Sequence, residues 1–543
     1  MIKAWQRKLS LVLALVSVIT VTSMWVPANV LASEGTTVVN IFSFNDFHGA
    51  VDKSASSSNP GADRFVAIVQ ELMSPKYGDA AAILAAGDNY QGSPLSNYFL
   101  GEPVSEMMKI LGVKYSALGN HEFDWGAEYI YKFAKDGNVT FLAANIFDKG
   151  KDTRPDFVEP YGFLIFDEIK PGGKPLKIGI VGLTTTYTSY QVKAEYVEAI
   201  DFRKPGKWLT DMITELRTTH DCDYVIALTH MDINGTGPDS NTVTAITGGE
   251  VYELDDYAFD AIIGGHHHIW AAGTTDSGIP FVAGGFNGRG LGWLEFEFDD
   301  TTGLGAITPK FLSQSDMNTD AYLPSDPLQV HEAMKSVIEG FNVQAGSYFN
   351  KVVGKFGADI DIRDKMADWA TEVVHGYIER IEGEKYILVQ NAGGWRDVSP
   401  YEYKADQDVT VRFLSTLMPF DNEIILMEME GKDIIYMLDL PVGVHTEDPG
   451  FPYLLSRACV SGAVKVDDIW YLASGDKIEE DKIYKIAAND FMLTGGDRFP
   501  FPDYPDFGNP YGADANVNVV GAPVIMGIPL RNAMIEELEY RLP

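Results

Sequence analysis

Five short apolar runs in this chain each end in glycines and polar residues, and this pattern limits the fold more than any other feature. The runs lie in the segments NIFSFNDFHG, AAILAAGDNYQGSP, YSALGNHEFD, YVIALTH and FDAIIGGHHH. Apolar runs of this length, bounded by turn formers, are typical of strands covered on both faces of a sheet. Because such runs alternate with amphipathic stretches through residues 36–310, we predict a layered α/β domain there.

The polar residues at the ends of these runs are of the types that bind metals. In Asp46/His48 and again in His266/His268, two candidate ligands are separated by one residue, and alternate residues of a strand share a face. A lone histidine at a strand end is more often structural, but six of the ten histidines lie in these motifs. Strand ends gather at one edge of an α/β sheet, so we predict one metal site there. The candidate ligands are Asp46, His48, Asp88, Asn120, His230, His266 and His268.

Imidazole and carboxylate ligands together suit zinc, manganese, iron or cobalt, and the sequence does not choose among them. An aspartate such as Asp88, which follows an apolar run and a glycine, can bridge two such ions. We therefore predict two divalent metal ions as cofactors.

The charge balance limits the partners of the chain. The net charge is −35, which argues against a nucleic-acid partner. An anionic substrate would need metals or local Arg and Lys side chains to bind in such a field. At 543 residues, the chain is also long enough for two or more domains.

Residues 1–32 have the pattern of a secretory signal peptide. Three basic residues precede the apolar stretch 9–26, and Val30-Leu31-Ala32 offers small residues for cleavage. The alternative is an uncleaved membrane anchor, which the five Ser and Thr residues in the stretch disfavour. No later segment has the length and apolarity of a membrane span. We therefore predict an exported protein without a stable membrane anchor, whether periplasmic, cell-wall-associated or secreted.

The strings NDFHG, GDNYQGSP, GNHEFD, LTHMD and GGHHH resemble the calcineurin-like metallophosphoesterase motifs of the 5′-nucleotidase family. GNHEFD is the most specific of them, and the resemblance covers nearly the whole mature chain. It implies a four-layer metallophosphoesterase domain of the β-sandwich type, with helices flanking the sheets, in residues 36–325. A smaller α/β substrate-binding domain would occupy residues 350–543. Ser325-Asp326-Pro327 has the pattern of a helix start, so we predict a linker helix over 326–349.

The resemblance also implies roles for the residues at the metal site. Asp46, His48, Asp88 and His268 would hold one ion, and Asp88, Asn120, His230 and His266 would hold the other. His121 would be catalytic, because an imidazole donor beside a phosphoryl group stabilises charge on the departing oxygen. Asp124, three residues later, would orient its ring. The alternative for His121 is a supporting role behind the ligands.

In the second domain the resemblance points to residues that bind substrate. NAGGWRD (391–397) resembles the family's Asn-x-Gly-Gly-x-Arg segment, so Asn391 and Arg396 would contact ribose and phosphate. In MPFDN and NDFMLTGGDRF, Phe420 and Phe491 would sandwich the base, and Asp497 would lie near the ribose hydroxyls.

Arg363 is a further candidate for phosphate binding, in surroundings that depart from the family's pattern. Met366-Ala367-Asp368 stands where the family has Met-Gly-Asn, and Trp395 replaces an aliphatic residue next to Arg396.

Together these features predict an exported, metal-dependent 5′-nucleotidase that releases phosphate from nucleoside monophosphates. Hydrolysis of UDP-sugars or of nucleoside di- and triphosphates is a candidate additional activity. One alternative is a 2′,3′-cyclic nucleotide 2′-phosphodiesterase/3′-nucleotidase with the same two domains. A second is a catalytically inactive, nucleotide-binding surface protein. The expected partner is a nucleotide, and the oligomeric state is left open.

Overall fold

The structure is a computed structural model that describes residues 36–53, 59–170, 172–238, 241–299, 305–324, 331–396, 398, 400–442, 456–501 and 517–542. The signal-peptide prediction for residues 1–32 lies outside the described residues, and so does the helix start predicted at 325–327.

The first part of the chain alternates strands and helices, as the apolar runs predict. The strands are Thr36–Phe44 (β1), Ala80–Ala85 (β2), Tyr115–Ala117 (β3), Thr140–Leu142 (β4), Ile146–Asp148 (β5), Tyr161–Lys170 (β6), Lys174–Thr184 (β7), Ile200–Phe202 (β8), Tyr224–His230 (β9), Asn234–Thr236 (β10), Thr242–Gly248 (β11), Ala261–Ile263 (β12), Trp270–Thr274 (β13), Pro280–Gly284 (β14), Leu291–Asp299 (β15) and Gly305–Leu312 (β16). The α-helices are Ala62–Leu72 (α1), Pro94–Tyr98 (α2), Glu102–Leu111 (α3), Glu128–Gly137 (α4), Thr188–Gln191 (α5), Ala194–Val197 (α6), Lys207–Thr218 (α7) and Gln314–Asn318 (α8).

Two large sheets form the centre of this part. One is six-stranded, in the order β16-β15-β1-β2-β3-β4, and β1 to β4 run parallel. The other is eight-stranded, in the order β10-β11-β13-β14-β12-β9-β7-β6, with β7, β9, β12 and β14 parallel. Parallel strands that are neighbours in a sheet end at the same edge, so the loops after them converge there.

The side chains of the central strands alternate between two apolar layers. Ile41 and Ile226 lie in the core between the two sheets, whereas Phe42 packs toward α1 and α3 and Val225 toward α7. Strands that are buried on both faces need near-continuous apolar sequence, as these runs have. The result is four layers, with helices flanking two sheets, which confirms the predicted fold class.

The helix Glu332–Phe349 (α9) follows this part of the chain. His331 caps its start by accepting the Met334 N–H at 3.3 Å. The helix therefore begins at Glu332 in the described residues. The predicted linker of 326–349 and the two domain limits stay predictions.

The remaining residues form a smaller α/β unit. Its strands are Val352–Lys355 (β17), Ile387–Asn391 (β18), Asp408–Thr410 (β19), Glu423–Glu430 (β20), Ala458–Ser461 (β21), Ala463–Val466 (β22), Ile469–Leu472 (β23), Ile483–Asn489 (β24) and Val519–Pro529 (β25). Its helices are Arg363–Glu382 (α10), Val411–Leu417 (α11), Gly431–Leu438 (α12), Asp490–Leu493 (α13) and Leu530–Arg541 (α14). A five-stranded sheet, β21-β18-β24-β20-β25, forms its centre, and α10 and α14 pack together beside it.

Arg412 of α11 ties the two units together through the connecting helix. Its guanidinium lies 3.1 Å from the Asp52 carboxylate of the first unit and donates to the Asn342 side chain in α9 at 3.0 Å. It also lies over the ring of Phe349 at 4.7 Å. These partly buried contacts hold the second unit against the first.

Across the residues the structure describes, no helix combines the length and the apolar character that crossing a membrane requires.

Candidate metal centre and substrate cleft

All seven candidate metal ligands lie together at the common edge of the two large sheets. They come from the loops after β1, β2, β3 and β12 and from the last residue of β9. His48, Asp46 and His268 form one group, and Asp88, His230 and His266 form another, with the ligand atoms of each group all within 4.8 Å of one another.

Individual distances show how closely these atoms converge. In the first group, Nε2 of His48 lies 3.0 Å from Nε2 of His268 and 3.8 Å from Oδ1 of Asp46. In the second, Nε2 of His230 lies 3.0 Å from Oδ2 of Asp88. Two histidine nitrogens this close together have the arrangement expected of two ligands that share one cation.

Among the seven candidate ligands, two buried oxygens have no hydrogen-bond donor within the described part of the chain. They are Oδ1 of Asp46 and Oδ1 of Asn120. The other oxygen of Asp46 accepts the N–H of His266 at 2.8 Å and the Asn45 amide at 2.6 Å. These bonds fix the orientation of the carboxylate and leave Oδ1 available to a cation. Buried polar atoms are normally paired, so these two oxygens fit ligands of a divalent ion.

Burial and the nearby carboxylates shift the pKa values of two of these histidines in opposite directions. Burial lowers the pKa of His48 to about 3, so its imidazole is neutral, as a metal ligand must be. Burial also acts to lower the pKa of His230, but the charges of Asp88 and Asp46 outweigh it and raise this pKa to about 10. The same two carboxylates would attract any cation. His230 donates from Nδ1 to the Ala86 carbonyl at 2.7 Å, which leaves Nε2 facing the site.

The backbone bends sharply where the ligands leave their strands. Left-handed φ values occur at five of the seven: Asp46 (49°), His48 (47°), Asp88 (56°), His266 (84°) and His268 (56°). Each such residue costs on the order of 1–3 kcal/mol and persists only where its surroundings determine it. Cross-loop bonds do so here: the N–H of Asp46 donates to the Gly87 carbonyl at 2.9 Å, and that of His48 to the Asp88 carbonyl at 3.0 Å.

Glu122 is a site residue that sequence reasoning missed. Its buried carboxylate accepts backbone N–H groups from Asp88 at 2.8 Å, Asn89 at 2.7 Å and Gly119 at 2.6 Å. Burial and the nearby Asp88 charge raise the pKa of Glu122 to about 7. The residue joins the two loops that carry Asp88 and Asn120. Its place in GNHEFD was a signal, but the string alone does not show what its carboxylate contacts.

The structure brings His121 and Asp124 together beside these ligands. Nδ1 of His121 lies 2.7 Å from Oδ2 of Asp124. On the other side of the ring, Nε2 lies 3.3 Å from a guanidinium nitrogen of Arg396, which belongs to the second unit. Burial acts to lower the pKa of His121, but Asp124 and Asp88 outweigh it and raise the pKa above its usual value.

One cleft of about 250 Å³ contains both the metal ligands and the substrate candidates. Its walls include Asp88, Asn120, His121, Asp124, His266 and His268 from the first unit, and Asn391, Arg396, Phe420, Phe491 and Asp497 from the second. The guanidinium of Arg396 lies over the Phe420 ring at 4.7 Å. Asp497 accepts from the Asn391 amide at 2.8 Å and from the Ser456 hydroxyl at 2.5 Å. Burial raises the pKa of Asp497.

Arg363 is the candidate that the structure places apart. It is exposed at the start of α10 and lines a neighbouring pocket together with Trp395. Arg396 lines both this pocket and the main cleft, so the two cavities adjoin.

The remaining wall of the cleft comes from the segment around α5 and α6, which carries no motif. Gln191, Lys193 and Tyr196 line the cleft there. Nζ of Lys193 lies 2.7 Å from Oδ2 of Asp490, across the boundary between the units. The other oxygen of Asp490 accepts the backbone N–H of Phe491 at 2.9 Å. Sequence offered no signal for this pair, because the two residues are far apart along the chain.

Gly496 sets the position of the Phe491 ring. A Cβ at this residue would overlap the ring, so only glycine lets the ring lie against the backbone here.

Comparison with known proteins gives the family. Residues 39–270 match the calcineurin-like phosphoesterase family model, and residues 352–503 match the model of the 5′-nucleotidase C-terminal domain. The chain belongs to the 5′-nucleotidase family of metallophosphoesterases. Its relatives include a 5′-nucleotidase of Vibrio cholerae, 24% identical over 530 residues that cover 90% of this chain and 91% of that protein.

Two further members extend this comparison. Cell wall protein Lmo0130 of Listeria monocytogenes is 25% identical over 531 residues, which cover 86% of this chain and 64% of that protein. The crystal structure of a 5′-nucleotidase precursor from Thermus thermophilus has the same fold, with a TM-score of 0.66 and 21% identity, covering 93% of this chain and 96% of that one. The predicted family is confirmed, and with it the class of phosphoric monoester hydrolase. Membership in this family also implies the use of divalent metals.

Gly119 gives a test of how tightly the metal loops are packed. A Cβ there would overlap the Asp88 carboxylate and lie 2.6 Å from the Asp88 backbone nitrogen. We expect Gly119→Ala to lower metal affinity by at least about tenfold, because Asp88 must shift. Calorimetric titration of the metal-free protein measures this. Gly340→Ala, where an added Cβ meets open space, is the control. Equal metal affinities in the two variants would show that the Asp88 loop can move to accommodate the added Cβ without loss of binding.

Proposed function

We propose that the chain is an exported, metal-dependent 5′-nucleotidase that hydrolyses nucleoside 5′-monophosphates to nucleoside and phosphate. The observation that carries this proposal is the single cleft that joins the metal-ligand cluster to a pair of aromatic rings and a buried carboxylate. A phosphate at the cluster and a nucleoside between the rings would then belong to one molecule. UDP-sugars and nucleoside di- and triphosphates are further candidate substrates.

We assign Asp46, His48, Asp88 and His268 to one divalent ion, and Asp88, Asn120, His230 and His266 to the other. When bound, such ions supply Lewis acidity toward a phosphoryl group and lower the pKa of water. The chain's own residues do the rest, and Arg396 and His121 are the first of them. Their nitrogens face each other at 3.3 Å, and an anionic phosphoryl oxygen between them would accept from both.

His121 is assigned as the proton donor to the departing ribose oxygen. Asp124 accepts from Nδ1 and so directs Nε2 toward the cleft. Proton transfer to the leaving group completes the cleavage of the phosphorus–oxygen bond. Because Asp124 also balances the positive charge of a protonated His121, the pair works as a unit.

The nucleoside is assigned to the second unit. Phe420 and Phe491 both line the cleft, and two ring faces bind any base with little selection among bases. Asp497 and Asn391, held together by their hydrogen bond, offer an acceptor and a polar amide to the ribose hydroxyls.

Export is supported by the signal-peptide pattern in residues 1–32 and by the name of the Listeria relative, a cell wall protein.

The activity and its metal dependence are tested by phosphate release from AMP, 3′-AMP and 2′,3′-cyclic AMP. We expect AMP to be the preferred substrate, and chelation or Asp88→Asn to abolish turnover. His121→Ala should lower kcat by about 10²–10⁴, the usual contribution of a general acid. His220→Ala, at the outer surface beside Tyr161, is the control. Preference for the cyclic or 3′ ester would support the alternative activity, and full turnover after exhaustive chelation would contradict the metal assignment.

The base-binding role of Phe491 is tested by its alanine variant. Stacking on one aromatic ring is worth about 1–3 kcal/mol, so we expect the KM for AMP to rise about 5- to 150-fold. Hydrolysis of p-nitrophenyl phosphate, which presents no nucleobase to the cleft, should change little. Phe491→Tyr retains the ring and should retain the KM. An equal loss with both substrates would instead indicate damage to the metal centre.

The contact between Lys193 and Asp490 predicts that the two units must meet for nucleotide hydrolysis. Lys193→Glu places like charges across the boundary, so we expect lower kcat/KM for AMP and a smaller change for p-nitrophenyl phosphate. The double variant with Asp490→Lys restores opposite charges and should recover activity. Lys204→Glu, at an exposed pair with Glu253, is the control. If the double variant is no better than the single one, the ion pair has no part in closure.

A further inference from the structure

The third histidine of the GGHHH string, His267, is not among the assigned metal ligands. It packs instead against Asp232, a carboxylate that is 2% exposed and follows the end of β9. Nε2 of His267 lies 2.9 Å from Oδ1 of Asp232. The same oxygen lies 3.2 Å from Nε2 of His266, which is an assigned ligand. Asp232 is therefore shared between a ligand histidine and its neighbour.

The two nitrogens of the His266 ring face different surroundings. Nδ1 lies 3.2 Å from Nε2 of His230 and so points into the second ligand group. A neutral imidazole that offers one nitrogen to a metal carries its proton on the other. The proton of His266 then sits on Nε2, which lies 3.2 Å from Oδ1 of Asp232 and 3.1 Å from the side-chain nitrogen of Gln191. That nitrogen is an amide donor, so the carboxylate of Asp232 supplies the acceptor. Carboxylates in this position fix the tautomer and the ring orientation of metal-binding histidines.

His267 holds Asp232 in place. Nδ1 of His267 lies 2.7 Å from the Ile233 carbonyl oxygen, and Nε2 faces Asp232, so both ring nitrogens meet acceptors. The ring of His267 also stacks on that of His266, with centroids 5.4 Å apart. The Asp232 carboxylate is thus held by a histidine that is not itself an assigned metal ligand.

We propose that Asp232 is a positioning residue for the second metal site. It holds His266 in the tautomer and orientation that present Nδ1 to Asp88 and His230, and His267 steadies it. The inference rests on the proposed two-metal centre and deepens it. It accounts for a histidine and an aspartate that the motif strings contain and that the ligand assignment leaves unused.

The same three side chains admit a competing interpretation, because their ligand atoms are also close enough to hold a cation of their own. In that case His266 would serve two ions through its two nitrogens. The number of ions bound per chain separates this interpretation from the positioning role.

The test is a titration of metal-free protein with Co²⁺, followed by calorimetry and by visible absorption. We expect two ions per wild-type chain. Asp232→Ala should weaken the second site by about 10- to 100-fold and leave the first unchanged, since loss of such supporting carboxylates typically has this effect. Asp232→Asn keeps an oxygen acceptor and should recover part of the affinity. The absorption bands of the second ion should shift in both variants.

Asp255→Asn is the matched control, since Asp255 accepts from Thr275 and Ser277 in the same unit and contacts no ligand histidine. It should leave both affinities unchanged. The positioning role is overturned if Asp232→Ala leaves both sites intact or weakens both equally. It is also overturned if wild type binds three ions and the variant two. A wild-type chain that binds no Co²⁺ would refute the metal centre itself, and this role with it.

Discussion

Three carboxylates, Asp46, Asp88 and Glu122, are buried side by side, and the rest of the site is arranged around their charge. Buried anions are costly unless they are paired or hydrogen-bonded. Glu122 is compensated by three backbone N–H groups, and Asp88 accepts the N–H of His121 at 2.8 Å. Asp46 keeps one oxygen without a donor. Backbone amides therefore offset part of the charge, and the remainder makes the pocket a strong attractor of cations.

The strained turns at the ligands follow from the same arrangement. A strand must stop abruptly if its last side chains are to meet those of the neighbouring strands, and a left-handed residue stops it in one step. At Asp46 and His48 the cost is tolerable because both turns are held by backbone hydrogen bonds to the loop that carries Asp88. Hydrogen bonds thus hold the bends at the metal ligands in place, and the positions of the ligands depend on the sheets behind them.

Much of this could be predicted from the chain alone, and the limits have physical reasons. The run YVIALTH contains both the apolar pattern of a strand and, at its end, a metal-binding residue type. Both β9 and His230 could therefore be predicted. The roles of Glu122 and Asp232 could not be predicted because they depend on contacts with other loops. Arg363, a weaker candidate for phosphate binding, lines the adjoining pocket, and its place there depends on how α10 packs, which the sequence alone does not show. Lys193 lies in a segment without periodicity, and its partner is contributed by the other unit.

The contact of Lys193 with Asp490 has a consequence for how such enzymes diversify. Asp490 also accepts the backbone N–H of Phe491, so the aromatic wall of the cleft is linked to a residue of the first unit. The two units are therefore not interchangeable parts. A chimera that joins the second unit of this chain to the first unit of a relative without this lysine would keep the aromatic rings but lose the ion pair that holds them. Recombination between the two units is therefore constrained by the contacts at their boundary as well as by the residues of the metal site.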